Sequence, residues 1–115
     1  MYSFDIKSDR IDYTKRILKD LELGSVCEII CSDAKRCSIK EDIVFLFIDG
    51  LKEEYFDYLK SFEDKLIEGS LVLAHNTISH PYKMANYIKE VYSKFLSLTI
   101  MTDPGGITLS TKFMK

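Results

Sequence analysis

At 115 residues, 46% hydrophobic and 30% charged, the chain is long enough for one domain with a real core and far from disordered composition. Sixteen Lys and Arg against eighteen Asp and Glu leave a net charge of −2, without the basic excess of a sequence-independent nucleic-acid binder. The longest strongly apolar run, Ile43–Ile48, is too short for a bilayer, and Asp5, Lys7, Asp9 and Arg10 interrupt the start before a signal-peptide core develops. A single cytoplasmic domain over residues 1–115, with no membrane partner, is expected. Cys27, Cys31 and Cys37 read as reduced structural thiols, because no second Cys/His pair completes a metal site with the first two.

Residues 2–6 are aromatic, β-branched or small and predict a strand. Ser8 fits an N-cap, and Asp9 and Asp12 favour the positive end of a helix whose apolar face is Ile11, Ile17, Leu18 and Leu21, with Gly24 as its stop. Residues 26–30 predict a second strand, and polar residues 34–41 a loop or short helix. Ile43–Ile48 is apolar at every position, which predicts a parallel strand covered on both faces. A helix over residues 52–67 turns Tyr55, Phe56, Leu59, Phe62 and Leu66 to one side and closes at Gly69, and residues 71–74 form the next strand.

Pro81 suits the first turn of a further helix with Met84, Ala85, Ile88, Val91, Tyr92 and Phe95 inward. Two short strands, residues 98–101 and Ile107–Thr111, flank a Pro-Gly-Gly turn and predict an antiparallel hairpin. Strand–helix alternation argues for an α/β fold with a mostly parallel sheet. The terminal hairpin narrows this to the class I methyltransferase variant of the Rossmann-like fold.

Open parallel sheets take ligands just beyond the carboxyl ends of their strands. Those ends here carry Asp5, Asp33, Asp49 and the pair His75-Asn76. Asp5 is placed to accept from a ribose diol, or to brace the turn at Ser8. Asp33 caps the following segment or receives an adenine amino group. Asp49 ends six apolar residues, so its carboxylate emerges where core becomes crevice. His75, Asn76 and His80, with Asp49, offer donors for a divalent ion; alternatively His80 caps the next helix and His75 bonds a backbone carbonyl. Lys52 is a candidate general base if its pKa is lowered, or a solvated lysine at a helix start.

The segments Y-S-F-D-I-K-S-D-R (2–10), S-D-A (32–34), F-I-D-G-L-K (47–52), G-S-L-V-L-A-H-N (69–76) and D-P-G-G-I-T-L (103–109) follow one another in a telling order. They resemble motifs of the metal-dependent O-methyltransferases of the catechol and caffeoyl-CoA type. The resemblance implies S-adenosylmethionine as cofactor, with Asp5 on its ribose, Asp33 beside its adenine and Asp49 at the cofactor edge. It places Asp49, His75 and Asn76 on the family's ligands for Mg²⁺ or another divalent cation; Lys52, read from its place one turn beyond Asp49, remains the candidate catalytic base. The reaction implied is methyl transfer to a hydroxyl of a small aromatic or related acceptor.

His75 stands where the family has Asp, and Leu51 replaces the second acid of D-A-D. The family's first strand and its E-x-G-x-x-x-G loop have no counterpart, and Met1 aligns with the start of the second strand. In this fold that strand lies between those corresponding to residues 2–6 and Ile43–Ile48. The sheet is therefore expected to close up, to borrow a strand, or to pair between copies, with a homo-oligomer favoured. Two functional readings follow: an O-methyltransferase, and a non-catalytic binding or assembly subunit built on a truncated methyltransferase fold. A third, a small metal-binding protein, would use Asp49, His75 and His80.

Overall fold

The apolar run at the chain start extends into a strand, β1 (Tyr2–Asp5), which pairs in parallel with β2 (Glu28–Cys31) from Tyr2↔Glu28 to Asp5↔Cys31. A computed structural model describes residues 1–113, the Cys31 side chain excepted. Helix α1 (Ser8–Asp20) is the crossover between these strands. Its N-cap is Lys7 rather than Ser8, and no side chain caps it. Its end is not made by Gly24: Glu22 takes the left-handed conformation at φ 59°, and Leu21 and Leu23 donate back to the Ile17 and Leu18 carbonyls. Of the predicted face only Ile11 is buried, since a two-stranded sheet covers little of a 13-residue helix. Residues 34–41 hold one 3₁₀ turn, Ala34–Arg36, and Cys27 and Cys37 are free thiols.

This segment, Met1–Ser38, is one compact unit; a second begins at Ile39 and holds a separate four-stranded sheet.

In the second unit β3 (Ile43–Ile48) runs parallel to β4 (Leu66–His75), and β6 (Ile107–Thr111) inserts antiparallel between β4 and β5 (Leu96–Ile100). The order β3-β4-β6-β5 contains the expected hairpin, with its first strand beginning two residues earlier. Gly69 does not end a helix. It lies inside β4 at φ +82°, where the pairing jumps from Ile43↔Leu66 to Phe45↔Leu71, a bulge that a glycine accommodates.

Helix α2 is short, Tyr55–Phe62, between single 3₁₀ turns at Lys52–Glu54 and Glu63–Lys65, and Leu66 already belongs to β4. Helix α3 (Ala85–Lys94) starts four residues after Pro81. The two helices and the sheet face beneath them bury Tyr55, Leu59, Phe62, Val72, Ala74, Met84, Tyr87, Val91 and Phe95. Each large apolar side chain here contributes roughly 1.5–3 kcal/mol of burial. Tyr87 was not foreseen as core, whereas Tyr92, foreseen there, is exposed and bonds Thr99 Oγ1 at 2.7 Å.

Tyr87 packs edge-on to Tyr55, with ring centroids 5.8 Å apart, yet its buried hydroxyl has no hydrogen-bond partner among the described residues. Burial pushes that phenol's pKa up. Removing an orphaned hydroxyl relieves its desolvation cost, so Tyr87→Phe is expected to hold or raise stability by about 1 kcal/mol in urea unfolding. A loss of more than about 1 kcal/mol would show that the hydroxyl is satisfied.

Within the second unit, helices cover one face of the sheet only, whereas Ile43–Ile48 reads as covered on both. Alternate residues Phe45 and Phe47 stand open, because α2 and α3 lie on one side only. Among the described residues no helix is long and apolar enough to cross a membrane.

Candidate functional site at the strand ends

Asp5 closes β1 and Asp33 follows β2 by two residues, so both acids stand at the carboxyl ends of adjacent parallel strands. Asp5 Oδ1 accepts from Arg10 Nη2 at 2.7 Å and from the Lys7 N–H at 3.1 Å. The Arg10 hydrogen bond, and then that of Lys7, hold its carboxyl below the ordinary range. Asp33 Oδ1 accepts from the Lys35 N–H at 3.0 Å and caps the 3₁₀ turn, with Lys35 Nζ 3.7 Å from its other oxygen. Both acids thus brace their local turns. They also fit a nucleoside, as acceptors on neighbouring strand ends at the edge where open parallel sheets take ligands.

In the second unit Asp49 follows β3 and His75 ends β4. Their pairing is set by the parallel register Ile48↔Ala74. His75 Nδ1 lies 3.8 Å from Asp49 Oδ1, and His75 Nε2 lies 3.0 Å from Asp103 Oδ2. An ionised carboxylate only accepts, so Nε2 donates in the contact with Asp103, and Nδ1 is the nitrogen turned to Asp49. The backbone of His75 is held too, since the buried Tyr55 hydroxyl donates to its carbonyl at 3.0 Å. Burial, then the nearby Asp49 charge, push the Tyr55 phenol's pKa up, so it remains a donor.

Asp103 is the residue that sequence reading missed. In D-P-G-G the aspartate reads as a turn former, and it is one: its Oδ1 accepts from the N–H groups of Gly105 at 2.8 Å and Gly106 at 2.9 Å. The antiparallel pairing His75↔Ile107 then carries this turn to the imidazole. Only the pairing of strands far apart in sequence could reveal that second role.

Asn76 adopts the left-handed region at φ 65°, which Asn tolerates better than most residues. Its carboxamide oxygen lies against the Gly105 Cα, where an added methyl group would collide with it. Lys52 Nζ donates to the Gly50 carbonyl at 3.2 Å and sits 5.9 Å from the Tyr55 ring centroid. It stands at the first position of the 3₁₀ turn that precedes α2. His80 Nδ1 pairs with Ser79 Oγ at 2.8 Å.

These side chains do not fit a divalent ion as they stand. The two nitrogens of His75 face two different carboxylates instead of converging with Asp49 and Asn76 on one point. Among the described residues no group of three His, Cys, Asp or Glu side chains is placed to hold a metal, which also removes the set Asp49, His75 and His80. What the strand ends present is a chain Asp49–His75–Asp103.

The Asp103 carboxyl is held below its ordinary value, first by His75 and then by the Gly106 N–H. A depressed carboxyl stabilises the fold above its unfolded value near 3.8, and that stabilisation disappears as pH falls through the lower folded value. Asp103→Asn is therefore expected to flatten the loss of stability on acidification from about pH 5 downward. Parallel melting curves of parent and variant that fall equally steeply would contradict it.

Solved structures that resemble this chain are methyltransferases. It superimposes over 99% of its length on SAH-bound PaMTH1 of Podospora anserina, with a TM-score of 0.83, 14% identity and 60% of that chain covered. It matches cofactor-bound Rv0187 from MTB over 99% at a TM-score of 0.87 and 12% identity, covering 62%. The Bacillus cereus O-methyltransferase in complex with SAH matches over 96% at 0.77 and 12% identity, also covering 62%. The chain thus spans about three-fifths of these relatives. No family model and no curated protein matches it. Its fold is the Rossmann-like fold of class I methyltransferases, with parallel strands and a C-terminal antiparallel hairpin.

Proposed function

We propose that this chain supplies the acceptor side of an S-adenosylmethionine-dependent O-methyltransferase acting on a hydroxyl of a small aromatic or related compound. The observation that carries the reading is the fold likeness over 96% or more of the chain to methyltransferases solved with SAH, joined to acids at the carboxyl ends of parallel strands within each unit. S-adenosylmethionine, when bound, supplies an electrophilic methyl group on sulfur. Asp5 and Asp33 are the residues that would hold its ribose and adenine.

His75 is oriented by Asp103 through Nε2, so its Nδ1 is the nitrogen available to an acceptor hydroxyl beside Asp49. In the proposed step the acceptor O–H bond breaks and its proton passes to Nδ1. The oxygen so freed would be the nucleophile for the methyl group that the cofactor would supply when bound. Positioning and proton removal together provide the rate gain, and no step needs a metal. Lys52, engaged with the Gly50 carbonyl, adds positive charge nearby rather than a base.

Titration calorimetry with S-adenosylhomocysteine tests the reading. Binding of one equivalent with Kd below about 1 mM, worth roughly 4 kcal/mol, is expected. No heat and no thermal shift at millimolar ligand would overturn it in favour of the second reading, a non-catalytic assembly subunit.

A further inference from the structure

The parallel ladder between β3 and β4 ends at Ile48↔Ala74, one residue short of Asp49 and His75. Neighbouring strands are rotated against each other by roughly 20–25°, so strands that run past their last rung splay apart. His75 is nonetheless held against Asp49, with Nδ1 3.8 Å from Oδ1. Asp103 fixes the imidazole from the hairpin, which lies on the β6 side of β4. The β3 side needs a tie of its own.

That tie comes from α2. The Tyr55 side chain is fully buried, and its hydroxyl donates to the His75 carbonyl at 3.0 Å. The same oxygen lies close to the end of β3. Burial raises the phenol's pKa most, the Asp49 charge raises it further, and the Gly50 N–H acts against both. One hydroxyl thus meets β4 at His75 and β3 at Asp49 and Gly50, beyond the last rung that joins the two strands. Away from water such a polar contact is stronger than the same contact in solvent.

The Asp49–Gly50 corner is itself gripped by the residues on either side of Tyr55. Lys52 Nζ donates to the Gly50 carbonyl at 3.2 Å. The Tyr58 ring lies so close to the Gly50 Cα that an added Cβ would stand 2.9 Å from its Cε2. Tyr58 is fixed in turn, its hydroxyl donating to Glu54 Oε2 at 2.7 Å. Lys52, Tyr55 and Tyr58 follow one another at intervals of three, which places them on one side of the segment leading into α2. Tyr55, in the middle, carries the grip across to β4.

We propose that Tyr55 is a positioning residue of the candidate site: its hydroxyl clasps the ends of β3 and β4 and so sets the distance between Asp49 and His75. Its part is geometric, since the phenol keeps its proton and acts on the backbone of His75 and not on the ring. With the clasp open, Nδ1 is no longer held to the space beside Asp49 where the acceptor hydroxyl would lie. The effect on turnover rests on the methyl-transfer reading; the clasp itself does not.

Tyr55→Phe removes one oxygen and keeps the ring in the core. In NMR relaxation dispersion of the full chain, the His75 imidazole carbons are expected to be free of microsecond–millisecond exchange in the parent and broadened by it in Tyr55→Phe. Tyr87→Phe is the control. It removes the neighbouring buried hydroxyl, which has no hydrogen-bond partner among the described residues, and is expected to leave the imidazole as in the parent. With catechol as the probe acceptor, Tyr55→Phe is expected to lower kcat about 10-fold with KM for S-adenosylmethionine within about 2-fold. An imidazole unchanged by Tyr55→Phe, an equal change in Tyr87→Phe, or an unchanged kcat would each overturn the proposal. A parent without turnover would count against the methyl-transfer reading alone, and the imidazole result would then decide on the clasp.

Discussion

Replacing His75 by Ala is expected to lower kcat/KM for methyl transfer by roughly 10²–10⁴-fold while leaving S-adenosylhomocysteine affinity unchanged. The expectation follows from where the ring sits. Its Nε2 donates to Asp103 at 3.0 Å, which orients the ring with Nδ1 toward Asp49, 3.8 Å away. Alanine removes the only imidazole that β4 brings to this edge and keeps the Tyr55 bond, which goes to the His75 backbone carbonyl.

Asp103→Asn separates orientation from chemistry. An amide can donate to Nε2, which moves the ring proton to Nδ1 and takes away its lone pair, so turnover is expected to fall by a similar order although the imidazole remains. Turnover unchanged in either variant, with binding intact, would remove His75 from the reaction.

Leu59→Ala is expected to cost about 3 kcal/mol in denaturant unfolding, within the 2–5 kcal/mol range for truncating a buried leucine. Leu59 is fully buried in α2, amid Tyr55, Phe62, Val72 and Val91 of the same unit, and α2 has only eight residues. A helix that short does not persist without its packing. Against a total of about 5–15 kcal/mol, such a loss removes a large share of the stability and lowers Tm by roughly 10 °C or more. A cost under about 1 kcal/mol would mean that α2 is not docked on the sheet.

Periodicity located the strands well and their surroundings poorly. Ile43–Ile48 is a strand over the predicted bounds, and the hairpin strand Ile107–Thr111 is likewise as read. The run IVFLFI, however, reports only that both faces are apolar, and a sequence does not distinguish an apolar face that is covered from one that waits for a cover. Gly69 read as a helix stop because a glycine after a helical pattern usually is one; its bulge role depends on pairing with β3, which local spacing does not contain. Pro81 opened a turn instead of a helix. At the site, Asp49, His75 and Asn76 were legible as strand-end residues, yet their grouping into an acid–imidazole–acid chain depended on Asp103, 28 positions away from His75.

The doubled duty of Asp103 ties loop and site into one unit of heredity. One of its oxygens builds the hairpin turn and the other aims the imidazole. The two turn glycines are locked from the opposite direction, since a side chain at Gly105 would strike Asn76 and one at Gly106 would strike Ile78. Substitutions at positions that bear no functional group would therefore be felt at His75, and their effects would not add with those at the ring itself. A side chain at either glycine is therefore expected to be tolerated only with a matching, smaller residue across the turn.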